Sequence, residues 1–161
     1  MKNPILTLYR KVVLQRDRSQ VPTTLMPLSV IRSVTVYVDG LAEGEDPQSV
    51  RRAVQQYFDY HSIPVTILCP RKRDINLFGR LKNRARGTRE SRKEDLFISL
   101  AGSPDNFAAE YEACCSTAHF KVGRCNLPGD VFDLVVANPE EGEANQIAAF
   151  AAIKDFLEKI Q

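Results

Sequence analysis

A chain of 161 residues with 43% hydrophobic and 26% charged side chains has the size and balance of one globular domain, which excludes collagen-like, disordered and disulfide-scaffold classes. No apolar run approaches the roughly 18 to 20 residues that a bilayer-spanning helix needs. Charge interrupts the run from Met1 to Lys11 before it could serve as a signal-peptide core, so the expected setting is cytoplasmic, with no membrane span. The formal charge of +2 conceals a segregation: residues 71 to 93 hold ten basic side chains against two acidic ones, while the other 138 hold 12 basic against 18 acidic, a net −6.

In chain order, Ile5, Leu8, Tyr9, Val12 and Val13 recur at the spacing of one helical face and predict an amphipathic helix docked on its own domain. Its polar residues are mainly basic (Arg10, Lys11, Arg16, Arg18), a composition that also suits an anionic surface. A connection holding Pro22 and Pro27 follows. The run from Ser33 to Asp39 then predicts a buried strand. Asp46 and Pro47 read as N-cap and first position of a helix that buries Val50, Ala53, Val54, Tyr57 and Phe58. Pro64 to Cys69 predicts a second strand, completing a βαβ unit with a right-handed crossover.

Beyond the basic segment, Asp95 to Ala101 predicts a third strand, and Gly102-Ser103-Pro104 reads as the start of a helix with Phe107, Ala108, Tyr111, Cys114 and Cys115 inward. Two short strands near His119 to Gly123 and Val131 to Val136 suit a hairpin about Asn126 to Asp130. A closing helix from about Glu143 to Ile160 buries Ile147, Phe150, Ile153, Phe156, Leu157 and Ile160. The assembled expectation is one α/β domain over 1–161. It is a three-layer sandwich with a mostly parallel, Rossmann-like sheet of about five strands, preceded by an N-terminal helix and connection over 1–32 and interrupted by a basic loop over 71–93, either solvated or mobile.

Asp95-Leu-Phe-Ile-Ser-Leu, Ala118 to Arg124, Phe132-Asp-Leu and Phe156 to Ile160 together resemble an uncharacterised family of Bacteroidetes proteins, a domain of unknown function. That resemblance implies a compact single-domain protein and carries over no catalytic residues. A fainter fold-level likeness, through the strand of Asp-Leu-x-Ile type and the Gly-Arg strand, is to the N-terminal domain of heptosyltransferase-type glycosyltransferases.

Chemistry-bearing residues are sparse. The basic segment offers Arg71, Lys72, Arg73, Arg80, Lys82, Arg84, Arg86 and Arg89 to an anionic partner, either nucleic acid or an acidic protein surface such as that of a second copy in a homodimer. Gly102 and Ser103 present backbone N–H groups for a phosphate or carboxylate. Asp39, Glu43, Glu45 and Asp46 could offer oxygen to a hard cation, although Asp46 is better read as a cap. Cys114, Cys115, His119 and Cys125 lack zinc-ligand spacing, and the four cysteines, Cys69 included, read as free thiols. No metal and no cofactor is implied. The function expected is a non-enzymatic binding module with a basic loop for an anionic partner; the alternative is a small nucleotide- or phosphate-metabolite-binding enzyme using Asp39 and the turn from Gly102 to Asp105.

Overall fold

The computed structural model describes residues 3–86, 93–136 and 145–160. Within them the helices are α1 (Pro4–Asp17), α2 (Pro47–Tyr60), the single turn α3 (Asn83–Arg86), α4 (Phe107–Cys115) and α5 (Gln146–Lys159). The strands are β1 (Val34–Tyr37), β2 (Val65–Leu68), β3 (Leu96–Ser99), β4 (Phe120–Gly123) and β5 (Leu134–Val135). They form one sheet in the order β2-β1-β3-β4-β5, every pair parallel. The result is the three-layer, Rossmann-like α/β sandwich, with α1 as an N-terminal addition.

Crossover handedness explains which element lies where. The step from β1 to β2 runs toward one edge and every later step toward the other, so right-handed crossovers must lie on opposite faces. Accordingly α2 covers one face, where Val50, Val54 and Phe58 pack with Phe150, Ile153 and Leu157 of α5. On the other face lie α4, the connection from β2 to β3 and the connection from β4 to β5. The basic segment is therefore a crossover that passes over β1. Lys72–Asp74 forms a 3-10 turn, Ile75 pairs antiparallel with Leu81 to close a small hairpin, and α3 follows. Arg89 and Arg92, predicted within this segment, lie outside the described residues.

Three expectations need correction. The hairpin between the last two strands is instead a parallel pair, Val122 beside Leu134 and Gly123 beside Val135. The intervening connection buries Leu127 and Val131 against α1 and α4, so it returns across the face as a crossover without a helix. The helix expected after Gly102 starts at Phe107, because the Asn106 side chain, not Ser103, caps it by accepting from the Ala109 N–H at 3.1 Å. In α5, Ile147 is half exposed while Phe150, Ile153 and Leu157 are buried.

The outward face of α1 is also not the one its apolar periodicity predicts. Val13 and Leu14 are buried, yet Ile5, Leu8 and Val12 face solvent. Val13 and Leu14 enter the core beside α4, and Arg10 and Asp17 of the same face meet aromatic side chains of that helix. The Arg10 guanidinium lies 4.8 Å above the Phe107 ring, and the Tyr111 hydroxyl donates to the Asp17 carboxylate. Ser19 N–H donates to the Cys114 carbonyl at 2.9 Å and fixes the exit from the helix.

Candidate anion-binding cleft

The basic crossover divides its arginines between two environments. Arg80 and Arg86 turn inward to the Tyr111 ring, their guanidinium carbons 3.9 and 5.4 Å from its centroid. Arg80 also donates from Nη2 to the Tyr111 hydroxyl at 2.7 Å and from Nη1 to the Tyr9 hydroxyl at 3.4 Å. Arg86 is buried and pairs with the fully buried Glu112, Nε to Oε1 at 2.8 Å. These two cations hold the crossover on the domain.

Arg71, Lys72, Arg73, Lys82 and Arg84 stay exposed. Local bonds shape the backbone that carries them: Asp74 accepts from the Arg71 N–H at 2.8 Å, and Arg84 donates to the Arg73 carbonyl at 3.0 Å while standing 3.8 Å from Asp74. Between this corner and α2 opens a cleft of about 270 Å³ at the carboxyl end of β2, lined by Arg51, Cys69, Pro70, Asp74, Leu81 and Arg84, among others. Open parallel sheets take ligands outside the carboxyl ends of their strands where the strand order reverses, which here falls between β1 and β3; the cleft shares that end of the sheet but lies at its β2 edge. Arg51 stands in the second turn of α2 and Arg84 in α3, so two separate elements bring arginine residues to one concavity. Burial pushes the Cys69 thiol up despite the opposing pull of Arg51 and Arg71, and a thiol so shifted stays protonated at neutral pH.

Gly102 and Ser103 lie apart from this cleft. The Arg124 guanidinium packs on Gly102, where an added Cβ would come within 2.8 Å of its Nη1, and the same nitrogen donates to the Leu100 carbonyl at 3.2 Å. The Ser103 hydroxyl accepts from the Asp105 N–H at 3.2 Å in a local turn. At the end of β1, the backbone of Asp39 exchanges two hydrogen bonds with the fully buried Gln146 side chain, at 2.7 and 3.0 Å. Glu45 accepts from the Gln146 N–H, and Asp46 caps α2 through Gln48 N–H at 3.1 Å. Glu45 and Asp46 thus serve the starts of α5 and α2, while the Asp39 carboxylate accepts from the Leu41 N–H at 3.0 Å in a local turn. Among the described residues no group of three or more His, Cys, Asp or Glu side chains is placed to hold a metal ion, and no helix is long and apolar enough to cross a membrane.

Sequence reading located the cations of the crossover but missed Arg51 and Cys69. The available signal was positional: Arg51 falls in the second turn of α2, at the same sheet edge as the residues that leave β2. Fold and cleft together define an α/β domain with a cationic concavity at the carboxyl end of an edge strand. No protein-family model, curated protein or solved structure matches the chain.

Proposed function

We propose that this chain is a non-enzymatic binding module that receives a phosphate group of an anionic partner in the cleft at the carboxyl end of β2. One observation carries the reading: Arg51 of α2 and Arg84 of α3 line the same concavity, with Arg71, Lys72 and Arg73 exposed on the adjoining chain. Guanidinium groups match phosphate oxygens in charge and fork geometry.

Binding is favoured over catalysis by the chemistry of the lining. Cys69 is held as a thiol, Asp74 is engaged by the Arg71 N–H, and neither histidine is among the lining residues. The turn from Gly102 to Asp105 is not among the cleft's lining residues, and Arg124 packs against it; at the end of β1 the Asp39 backbone is taken by Gln146, while Gly40 packs on Cys69 and Pro70 behind the cleft wall.

Amide chemical-shift mapping tests the assignment. Titration with inorganic phosphate, a mononucleotide, a short single-stranded RNA and an acidic peptide is expected to move the signals of Arg51, Cys69, Arg71, Asp74 and Arg84 with the phosphate-bearing probes. Shifts centred on Gly102 and Ser103, or shifts with the acidic peptide alone, contradict the proposal. The mononucleotide and RNA arms separate a small metabolite from nucleic acid as the source of the phosphate.

A further inference from the structure

The outer arc of α1 is unusual for a helix packed on its own domain. Ile5, Leu8 and Val12 follow one another at helical spacing and remain 78%, 63% and 51% exposed. Beside them, the tip of the hairpin closed by Ile75 and Leu81 presents Leu77, 99% exposed, and Phe78, 51% exposed. The two features are joined: the Phe78 ring lies 4.7 Å from the Tyr9 ring, and the Arg10 guanidinium reaches Gly79.

Charge around this apolar surface is mainly basic, and the acidic Asp74 at the hairpin base is engaged by Arg84 and the Arg71 N–H. Between Asn3 and Arg16 there is no acidic residue, and Asp17 is occupied by Arg16 and Tyr111. Lys11 on the helix and Arg73 and Lys82 at the base of the hairpin are exposed.

We propose that this surface docks peripherally on an anionic lipid bilayer. The helix α1 lies in the headgroup plane with Ile5, Leu8 and Val12 toward the acyl chains, Leu77 and Phe78 enter as a second wedge, and Lys11, Arg73 and Lys82 meet the lipid phosphates. Exposed apolar side chains flanked by exposed lysine and arginine suit the boundary between acyl chains and anionic headgroups. A helix face and a hairpin tip are both convex, and a fluid apolar layer accepts convex groups without a matching groove. A second copy related by a two-fold axis would set the cations of one surface against the same cations of the other. The proposal shares only Arg73 with the phosphate-binding reading and uses neither Arg51 nor the cleft; the serine variant below leaves every cation in place, so the two failures are separately visible.

The test uses the full chain with vesicles of phosphatidylcholine alone or mixed with phosphatidylserine. The chain has no tryptophan, so Leu77→Trp places a single reporter at the most exposed site. Its emission is expected to shift to the blue with the serine-containing vesicles, and co-sedimentation with them is expected to fall about tenfold in a Leu8→Ser, Leu77→Ser variant and to weaken with salt. Both serine positions are exposed, so thermal melting of that variant should match the parent. Unchanged emission, or vesicle binding that the serine variant retains, overturns the proposal. So does concentration-dependent self-association that the serine variant abolishes, which would make a second copy the occupant.

Discussion

Arg86 and Glu112 form an ion pair at 2.8 Å between the basic crossover and the wholly buried helix α4, with the Glu112 side chain fully buried and that of Arg86 10% exposed. Removing one partner leaves the other charge without compensation in a low-dielectric interior. Arg86→Met or Glu112→Gln should each cost about 3–5 kcal/mol of stability, whereas the paired change Arg86→Met, Glu112→Leu should recover most of it. Urea unfolding of the three variants measures this. Equal loss in single and paired variants would contradict the assignment.

Tyr111 is the second point at which the crossover is held. Its hydroxyl accepts from Arg80 and donates to Asp17, so it ties the crossover to α1 through one atom. Tyr111→Phe keeps the ring contact with both guanidinium groups and removes only the hydroxyl. It should lower stability by about 1–3 kcal/mol, and amide exchange should rise at Arg80 and Asp17 before it rises in β1 or β3.

Gly123 ends β4 directly beneath the Phe132 ring, whose atoms would lie 2.2 to 2.6 Å from an added Cβ. Gly123→Ala should therefore destabilise by about 1–3 kcal/mol through overpacking. In a Phe132→Ala background the same change should cost much less, because the obstructing ring is gone. A double-mutant cycle by thermal or urea unfolding gives the coupling directly.

Glu110 supplies a pH dependence. Burial raises its carboxyl above the usual range, and the Gly129 N–H, Arg10 and Arg18 only partly offset that. The folded state then binds the proton more tightly than the unfolded state, so this group's contribution to stability falls as pH rises from the ordinary carboxyl value through the raised one. Relative to the parent, Glu110→Gln should gain melting temperature between pH 4 and pH 7. A constant difference across that range would contradict the sign.

Much of the fold was legible because the strands from Val34, Val65 and Leu96 are short β-branched or aromatic runs ended by turn residues, and α2 carries its own cap and apolar stripe. The faces of α1 were not legible. Its inward side holds Arg10 and Asp17, whose partners Phe107 and Tyr111 are brought close only by the tertiary fold. The parallel placement of β5 was hidden for a related reason: Leu127 and Val131 look like turn-flanking residues until the face they cover is known. In the candidate site, a count of charge could not separate Arg80 and Arg86, which face the core, from Arg71, Lys72, Arg73, Lys82 and Arg84, which remain exposed. Right-handedness of crossovers puts the basic segment on the face of α4 only once β3 is placed on the far side of β1 from β2, an order that the sequence does not carry.

The most direct measurement of the central claim is fluorescence anisotropy of a labelled single-stranded RNA, at rising salt, with the parent chain and with an Arg51→Gln, Lys72→Gln, Arg73→Gln, Arg84→Gln variant. These side chains are exposed, and the contacts of Arg84 run to the Arg73 carbonyl and Asp74 within the same segment, so the variant should lose little melting temperature, which a thermal melt checks. The predicted result is binding at physiological salt by the parent, at least roughly tenfold weaker binding by the variant, and a shallower dependence on salt as phosphate contacts are lost. No binding by the parent to the RNA or to a competing mononucleotide, or equal affinity and salt slope in parent and variant, would contradict the account.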